Sequence, residues 1–252
     1  MMPSLRVLAT ANTMDTHNLL IMAIPAAVAL AGGILASFWN PAHQVRSLIQ
    51  HFAAGVVLAA LAVELLPEIQ REQAPGAIVA GCFALGSLFM YALKLWTLRL
   101  EHRAAAAAAP AGMDSGLLLA TFIDVAMDGF IIGAGFAAGG ETGMILALGL
   151  SVELLFLGLA LASDATTGWR IVAISGALGG TVLLFAVIGN LVLTGASHTL
   201  IGGVLAFSAA ALLYLVTEEL LMEAHTVEEK PVSTLVLFGG FLAFWSVQLL
   251  GT

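Results

Sequence analysis

The chain has 252 residues, of which 60% are hydrophobic and only 10% charged, and its mean hydropathy is +1.04. A soluble domain carries about 25% charged residues, so the composition excludes a soluble domain of any size and makes the lipid bilayer the first partner. The net charge of −8 excludes nucleic acid, and the single cysteine, Cys82, excludes an internal disulfide or a Cys-based metal site.

Residues 1–17 carry one basic residue before an apolar run that is too long for a signal-peptide core, so no signal peptide is expected. Apolar segments then fall at about 18–38, 49–68, 76–99, 115–138, 142–163, 169–194, 199–223 and 231–250, each near the roughly 20 residues a spanning helix needs. Asn40-Pro41, Pro75-Gly76, Gly139-Gly140 and Lys230-Pro231 punctuate short connections. The longest connection, 100–114, opens with Glu101-His102-Arg103 and an alanine run that could equally extend the third helix. The expectation is all-α: one polytopic membrane bundle of about eight helices over residues 1–252. An even number of spans puts both termini on one face. Arg46, Lys94, Arg99, Arg103, Arg170 and Lys230 lie on the other face, against Arg6 and Arg71 on the terminal one. By the positive-inside rule both termini are extracytoplasmic, in a cell membrane.

Spans two and seven align from Phe52 and Phe207, FAAGVVLAALAVELLPE over FSAAALLYLVTEELLME, which pairs Glu64 with Glu219 and Glu68 with Glu223. Two helices five spans apart cross in opposite directions. The register therefore predicts inverted three-helix repeats, spans 1–3 and 6–8, flanking spans 4 and 5, a construction common in transporters. Chance similarity of apolar composition is the competing explanation.

Asp124, Asp128 and Glu153 lie well inside spans four and five, which contain no Lys, Arg or His. A lipid-facing carboxylate costs about 2.5–3.5 kcal/mol at mid-membrane, so all three must face a polar interior. Asp124 and Asp128, four residues apart, project from one helix face, and Glu153 sits at mid-depth on the next, antiparallel helix. Gly129, Gly133, Gly139, Gly149 and Gly158 permit close helix approach. Three convergent oxygens make an incomplete divalent-metal site, to be finished by water, backbone or another side chain. Protonated carboxyls hydrogen-bonded within the bundle are the alternative.

A second acidic group, Glu218, Glu219, Glu223, His225, Glu228 and Glu229, runs from span seven into the cytoplasmic loop. Glu218, Met222 and His225 share one α-helical face, Glu219 and Glu223 the adjacent one. They read as a cation exit path, with Glu64 and Glu68 as the matching entrance. For Glu228 and Glu229 an ordinary solvated loop is as good a reading. The remaining histidines, His17, His43, His51, His102 and His198, stand at helix ends and loops and are expected to be interfacial.

The block HFAAGVVLAALAVELLPEI (51–69), the Asp128-Gly129 motif and Tyr214-Leu-Val-Thr-Glu-Glu make the chain resemble the ZIP (Zrt/Irt-like) divalent metal transporters, as a divergent bacterial-type member. The resemblance covers nearly the whole chain and is specific in span two and in the pattern of polar positions. It implies eight spans, outward termini, inverted repeats and a homodimer, which helices rich in small residues permit. Aligned on Gly129, the family's His-Asn-x-Pro-Glu-Gly places its His on Asp124, its Asn on Val125, its Pro on Met127 and its Glu on Asp128. In span five the family's first polar position falls on Glu153, the next on Leu154 and the second acid on Leu157. Its frequent span-seven His-Glu pair becomes Glu218-Glu219. The family's two-metal centre is thus reduced to one carboxylate site, and Gly179 in span six supplies no ligand. Straighter fourth and fifth helices follow from the missing prolines.

The resemblance implies a transporter of zinc or a similar divalent ion, inward by the family's habit, with the ion as substrate and no resident cofactor. An all-oxygen site leans toward Mn²⁺ or Fe²⁺, since imidazole is what favours zinc; Cd²⁺ belongs to the same group of candidate ions. Two other readings stay open: a proton-coupled carrier of a small solute, with the acids as a relay, and a non-transporting membrane scaffold. An enzyme is not expected, since the chain has neither His-Glu-x-x-His nor Gly-x-Ser-x-Gly.

Overall fold

The structure is a computed structural model and describes residues 16–39, 42–106, 115–160, 168–224 and 231–251. Among these residues the protein is helical and has no strand. We number the spans α1 (Thr16–Phe38), α2 (His43–Ala60, continuing through Leu61–Leu65 and Leu66–Arg71), α3 (Gly76–Ala106), α4 (Ser115–Ala138), α5 (Gly140–Ala160), α6 (Trp169–Leu193), α7 (His198–Leu215, continuing through Val216–Leu220 and Leu221–Ala224) and α8 (Pro231–Gly251). All eight are long and apolar enough to cross a membrane. The protein is therefore a multi-pass membrane protein with the all-α architecture expected. α2 starts at His43 rather than near 49 as expected. Of the two readings open for the 100–114 stretch, its described part extends α3 to Ala106, and residues 107–114 lie outside the described residues.

Turn chemistry closes the helices where the backbone demands it. Gly168 (φ 63°) and Gly195 (φ 78°) occupy left-handed positions just before and just after α6, which a Cβ would strain. Ser197 caps α7, accepting from the Leu200 amide at 3.3 Å.

Contacts between helix ends establish the direction of crossing. The end of α2 meets the start of α5, where the Thr142 hydroxyl donates to Glu64. It meets the start of α7, where His198 Nδ1 lies 2.7 Å from Glu72 Oε2. It also meets the end of α8, where Gln248 Nε2 donates to Glu64 Oε2 at 3.1 Å. Alternate crossing brings those four ends to one face.

The repeat is visible in the packing. α1 packs on α5 as α6 packs on α4; α2 on α8 as α7 on α3; α2 touches α5 as α7 touches α4; and α1 with α6, and α4 with α5, pair across the centre. Exchanging 1 with 6, 2 with 7, 3 with 8 and 4 with 5 maps these pairs onto one another, although α3 touches α4 more extensively than α8 touches α5. α3 and α8 lie at the periphery, while α2, α7 and α5 supply most of the buried surface.

Two local features repeat in register. Leu61–Leu65 and Val216–Leu220 are both π-helical, and they occupy equivalent positions in the alignment of Phe52 with Phe207. Gly240 of α8 rests on the Phe52 carbonyl of α2 and Gly86 of α3 on the Phe207 carbonyl of α7, equivalent contacts made between the two halves. In α2 the widening has a chemical cause. Pro67 has no amide hydrogen to give the Val63 carbonyl, and its ring crowds that oxygen. Gln248 Nε2 donates to Val63 O at 3.2 Å instead. Met222 stands at the equivalent position of α7, so nothing local supplies the same cause there.

Orientation across the membrane is an expectation from the Lys/Arg bias. In a Cys82→Ala background, a cysteine at Ala104 is expected to react with a membrane-impermeant maleimide only from the cytoplasm, and one at Ser197 only from outside. Labelling of both from the same side would contradict the crossing pattern.

Candidate functional site

Asp128 stands near the middle of α4, which packs its glycine face on α6. A Cβ at Gly129 would run into the Val182 carbonyl, and one at Gly133 would lie 2.7 Å from the Asn190 amide nitrogen. On α5, Gly158 nests against Gly32 and Gly33 of α1, and Gly149 against Ala60 and Phe244. Those glycines act as the sequence suggests. Gly139 does not: a Cβ there would meet nothing within 4 Å, because it lies in the α4–α5 turn.

The docking of α4 against α5 brings Asp124, Asp128 and Glu153 together. One carboxylate oxygen from each lies within 4.8 Å of the other two. Asp128 is 2% exposed, Glu153 5%, and Asp124 is half-buried. Two oxygens bound to one ion at about 2.0–2.2 Å are at most roughly 4.4 Å apart. Small side-chain rotations therefore bring the trio into one coordination sphere. Asp128 Oδ2 and Glu153 Oε2 are buried and accept no hydrogen bond, while each residue makes other polar contacts.

Three negative charges at this spacing oppose one another. At 4.8 Å and an effective dielectric near 20, each ionised pair costs about 3.5 kcal/mol. The cluster therefore holds protons or takes up a cation. Leu154, where the resemblance expects a second polar ligand, is a fully buried apolar residue. Gly179 packs on Ala26 at the α1–α6 contact, where a Cβ would lie 2.7 Å from the Ala26 carbonyl oxygen.

The other expected site residues divide. Glu64 is 5% exposed and held by Gln248 and Thr142, with Glu68, Arg71 and Glu141 close enough to act on it electrostatically. Glu68 is also buried and takes Arg71 as an ion pair at 2.9 Å. Glu64 and Glu68 thus belong to an acidic patch at the terminal face, completed by Glu72 and Glu141.

At the opposite end of the repeat Glu218 is half-buried in the π-turn of α7. Met222 is 60% exposed. The side chains of Glu219 and Glu223, and the whole of His225, Glu228 and Glu229, lie outside the described residues.

Among the histidines, His51 corrects the interfacial expectation. It is 4% exposed, and its Nδ1 lies 2.8 Å from the Ser47 carbonyl, because the additional turns of α2 below it bring it inside the bundle. His17 and His198 are at helix starts as expected. Thr142, Gln248, Glu72 and Glu141 were not legible as partners of the α2 acids. An amide near the end of an apolar span was the one signal that Gln248 has a polar contact to make.

No model of a known protein family matches the chain, and no curated protein does.

Proposed function

We propose that the protein is a divalent-metal transporter of the ZIP type, carrying zinc or a similar ion (Mn²⁺, Fe²⁺ or Cd²⁺) into the cytoplasm through Asp124, Asp128 and Glu153. The observation that carries this reading is the convergence of three carboxylates from α4 and α5 at the centre of a bundle of membrane helices. Their mutual repulsion is relieved by a divalent cation at the point where a transported ion must be least hydrated. The inverted pairing of helices supports a transporter over a scaffold, since binding at a repeat interface near mid-membrane is the transporter construction.

The residues have separable roles. Asp128 and Glu153 bind the ion, and half-buried Asp124 passes it toward the side on which α4 begins. Glu64, Glu68 and Glu141 concentrate cations at the terminal face, and Glu218 does so at the other. All-oxygen coordination favours Mn²⁺ or Fe²⁺ relative to an imidazole site, while zinc follows from the resemblance.

The test is uptake into proteoliposomes offered Zn²⁺, Mn²⁺, Fe²⁺ and Cd²⁺ separately, with elemental analysis of the purified protein. Saturable, protein-dependent uptake of at least one ion is expected. Proton flux with no metal uptake would transfer the site to a solute carrier, and neither flux would leave a scaffold.

A further inference from the structure

A cavity of about 420 Å³ runs between α2, α5 and α8. Its walls are apolar, with Phe52, Leu148, Val152 and Val247 among them, and its polar groups, Glu141 and Gln248, stand together at one end. It opens sideways, since Leu148 is 41% and Val247 64% exposed on the bundle's flank. In a membrane protein that flank faces hydrocarbon, so the cavity fills from the bilayer rather than from water.

Its dimensions suit a single acyl chain. From Glu141 to Val152 is eleven helical rises, about 16 Å at 1.5 Å each. That is roughly half of the ~30 Å hydrocarbon core, the depth of one leaflet. The polar end lies where α5 begins, at the face shared by Glu64, Glu68 and Glu72. The only cation described in that patch besides His198 is Arg71, already engaged by Glu68 at 2.9 Å. The rim is therefore negative. It disfavours an anionic headgroup and favours an ammonium with N–H donors to give to a carboxylate.

We infer that this groove is a lipid site, holding one acyl chain of a phospholipid with a primary-amine headgroup from the leaflet at that face. The chain lies along Leu148 and Val152, and the ammonium meets Glu141. Because Val152 directly precedes Glu153, the lipid buttresses the helix that carries one of the buried carboxylates. Lipid occupancy does not depend on metal transport, so its failure and that of the transport reading are read separately.

The experiment is native mass spectrometry of the full chain from vesicles holding equal parts of acyl-matched phosphatidylethanolamine, phosphatidylcholine and phosphatidylglycerol. One phosphatidylethanolamine is expected to stay bound per chain, preferred about tenfold or more, as one charge-assisted hydrogen bond predicts. Leu148→Trp, which fills the groove, should lose the bound lipid. Glu141→Gln should keep a lipid and lose the headgroup preference. Equal retention of all three headgroups by the unmodified protein overturns the inference, as does undiminished binding in Leu148→Trp. Should Leu148→Trp not fold, an unchanged preference in Glu141→Gln overturns it alone.

Discussion

Asp128→Asn is expected to abolish saturable metal uptake while the bundle stays folded. The substitution keeps the shape of a side chain that is 2% exposed and removes one of three charges within 4.8 Å of each other. Removing one partner of a buried charge interaction costs about 3–5 kcal/mol, which is roughly 10²- to 10⁴-fold in affinity. Glu153→Gln should behave alike, and Asp124→Asn should lose less, because its half-buried carboxylate is replaced more readily by water.

In metal-free buffer Asp128→Asn should be at least as stable as the unmodified protein, since a desolvated acid has become a neutral amide. Binding must also be linked to pH. A metal that enters this cluster displaces its protons, so apparent affinity falls as pH falls, by about tenfold per pH unit for each proton released. Calorimetry on the unmodified protein and Asp128→Asn at two pH values checks both statements. Equal affinity in the two proteins would remove Asp128 from the ligand set and with it the core of the transport reading.

A second large effect is expected where helices touch through glycine. A Cβ at Gly240 would run into the Phe52 carbonyl, while the adjacent Gly239 has open space. Gly240→Ala should therefore cost about 1–3 kcal/mol as overpacking that backbone cannot relieve. Gly239→Ala should be neutral or slightly stabilising, because alanine is the better helix former. Since Gly86 makes the equivalent contact with the Phe207 carbonyl, Gly86→Ala should match Gly240→Ala. Thermal unfolding in detergent, followed by the tryptophans, measures all three. A loss at Gly239 equal to that at Gly240 would mean that α8 is rotated from the position described, and unequal losses at Gly86 and Gly240 would weaken the symmetry of the two halves.

Much of this architecture is legible in the amino-acid sequence. Eight spans were legible because a bilayer leaves each helix to satisfy its own backbone, so length and hydropathy decide where the chain crosses. The convergence of Asp124, Asp128 and Glu153 was legible for a related reason: spacing of four on one helix and mid-depth on its antiparallel neighbour leave few other arrangements. The repeat could be read from Glu64 and Glu219 because inverted halves must carry their polar positions in one register.

What needed the tertiary structure is how the helices turn toward one another. Pro67 marks an interrupted hydrogen-bond ladder in α2, but nothing in α7 read alone indicates that Val216–Leu220 is π-helical as well. Gln248 reaches Glu64 and Val63 O across 184 and 185 residues of chain, a pairing set by the docking of α8 on α2. His51 looked interfacial because it stands at the start of an apolar run, and it is buried because α2 begins earlier, at His43. Gly139 and Gly149 were both expected to admit a close helix, yet only Gly149 has a neighbouring helix against it. Hydropathy records whether a residue belongs in the membrane; which side of the helix it occupies, and what faces it there, follows from inter-helix packing, whose contacts are made between residues far apart in the chain.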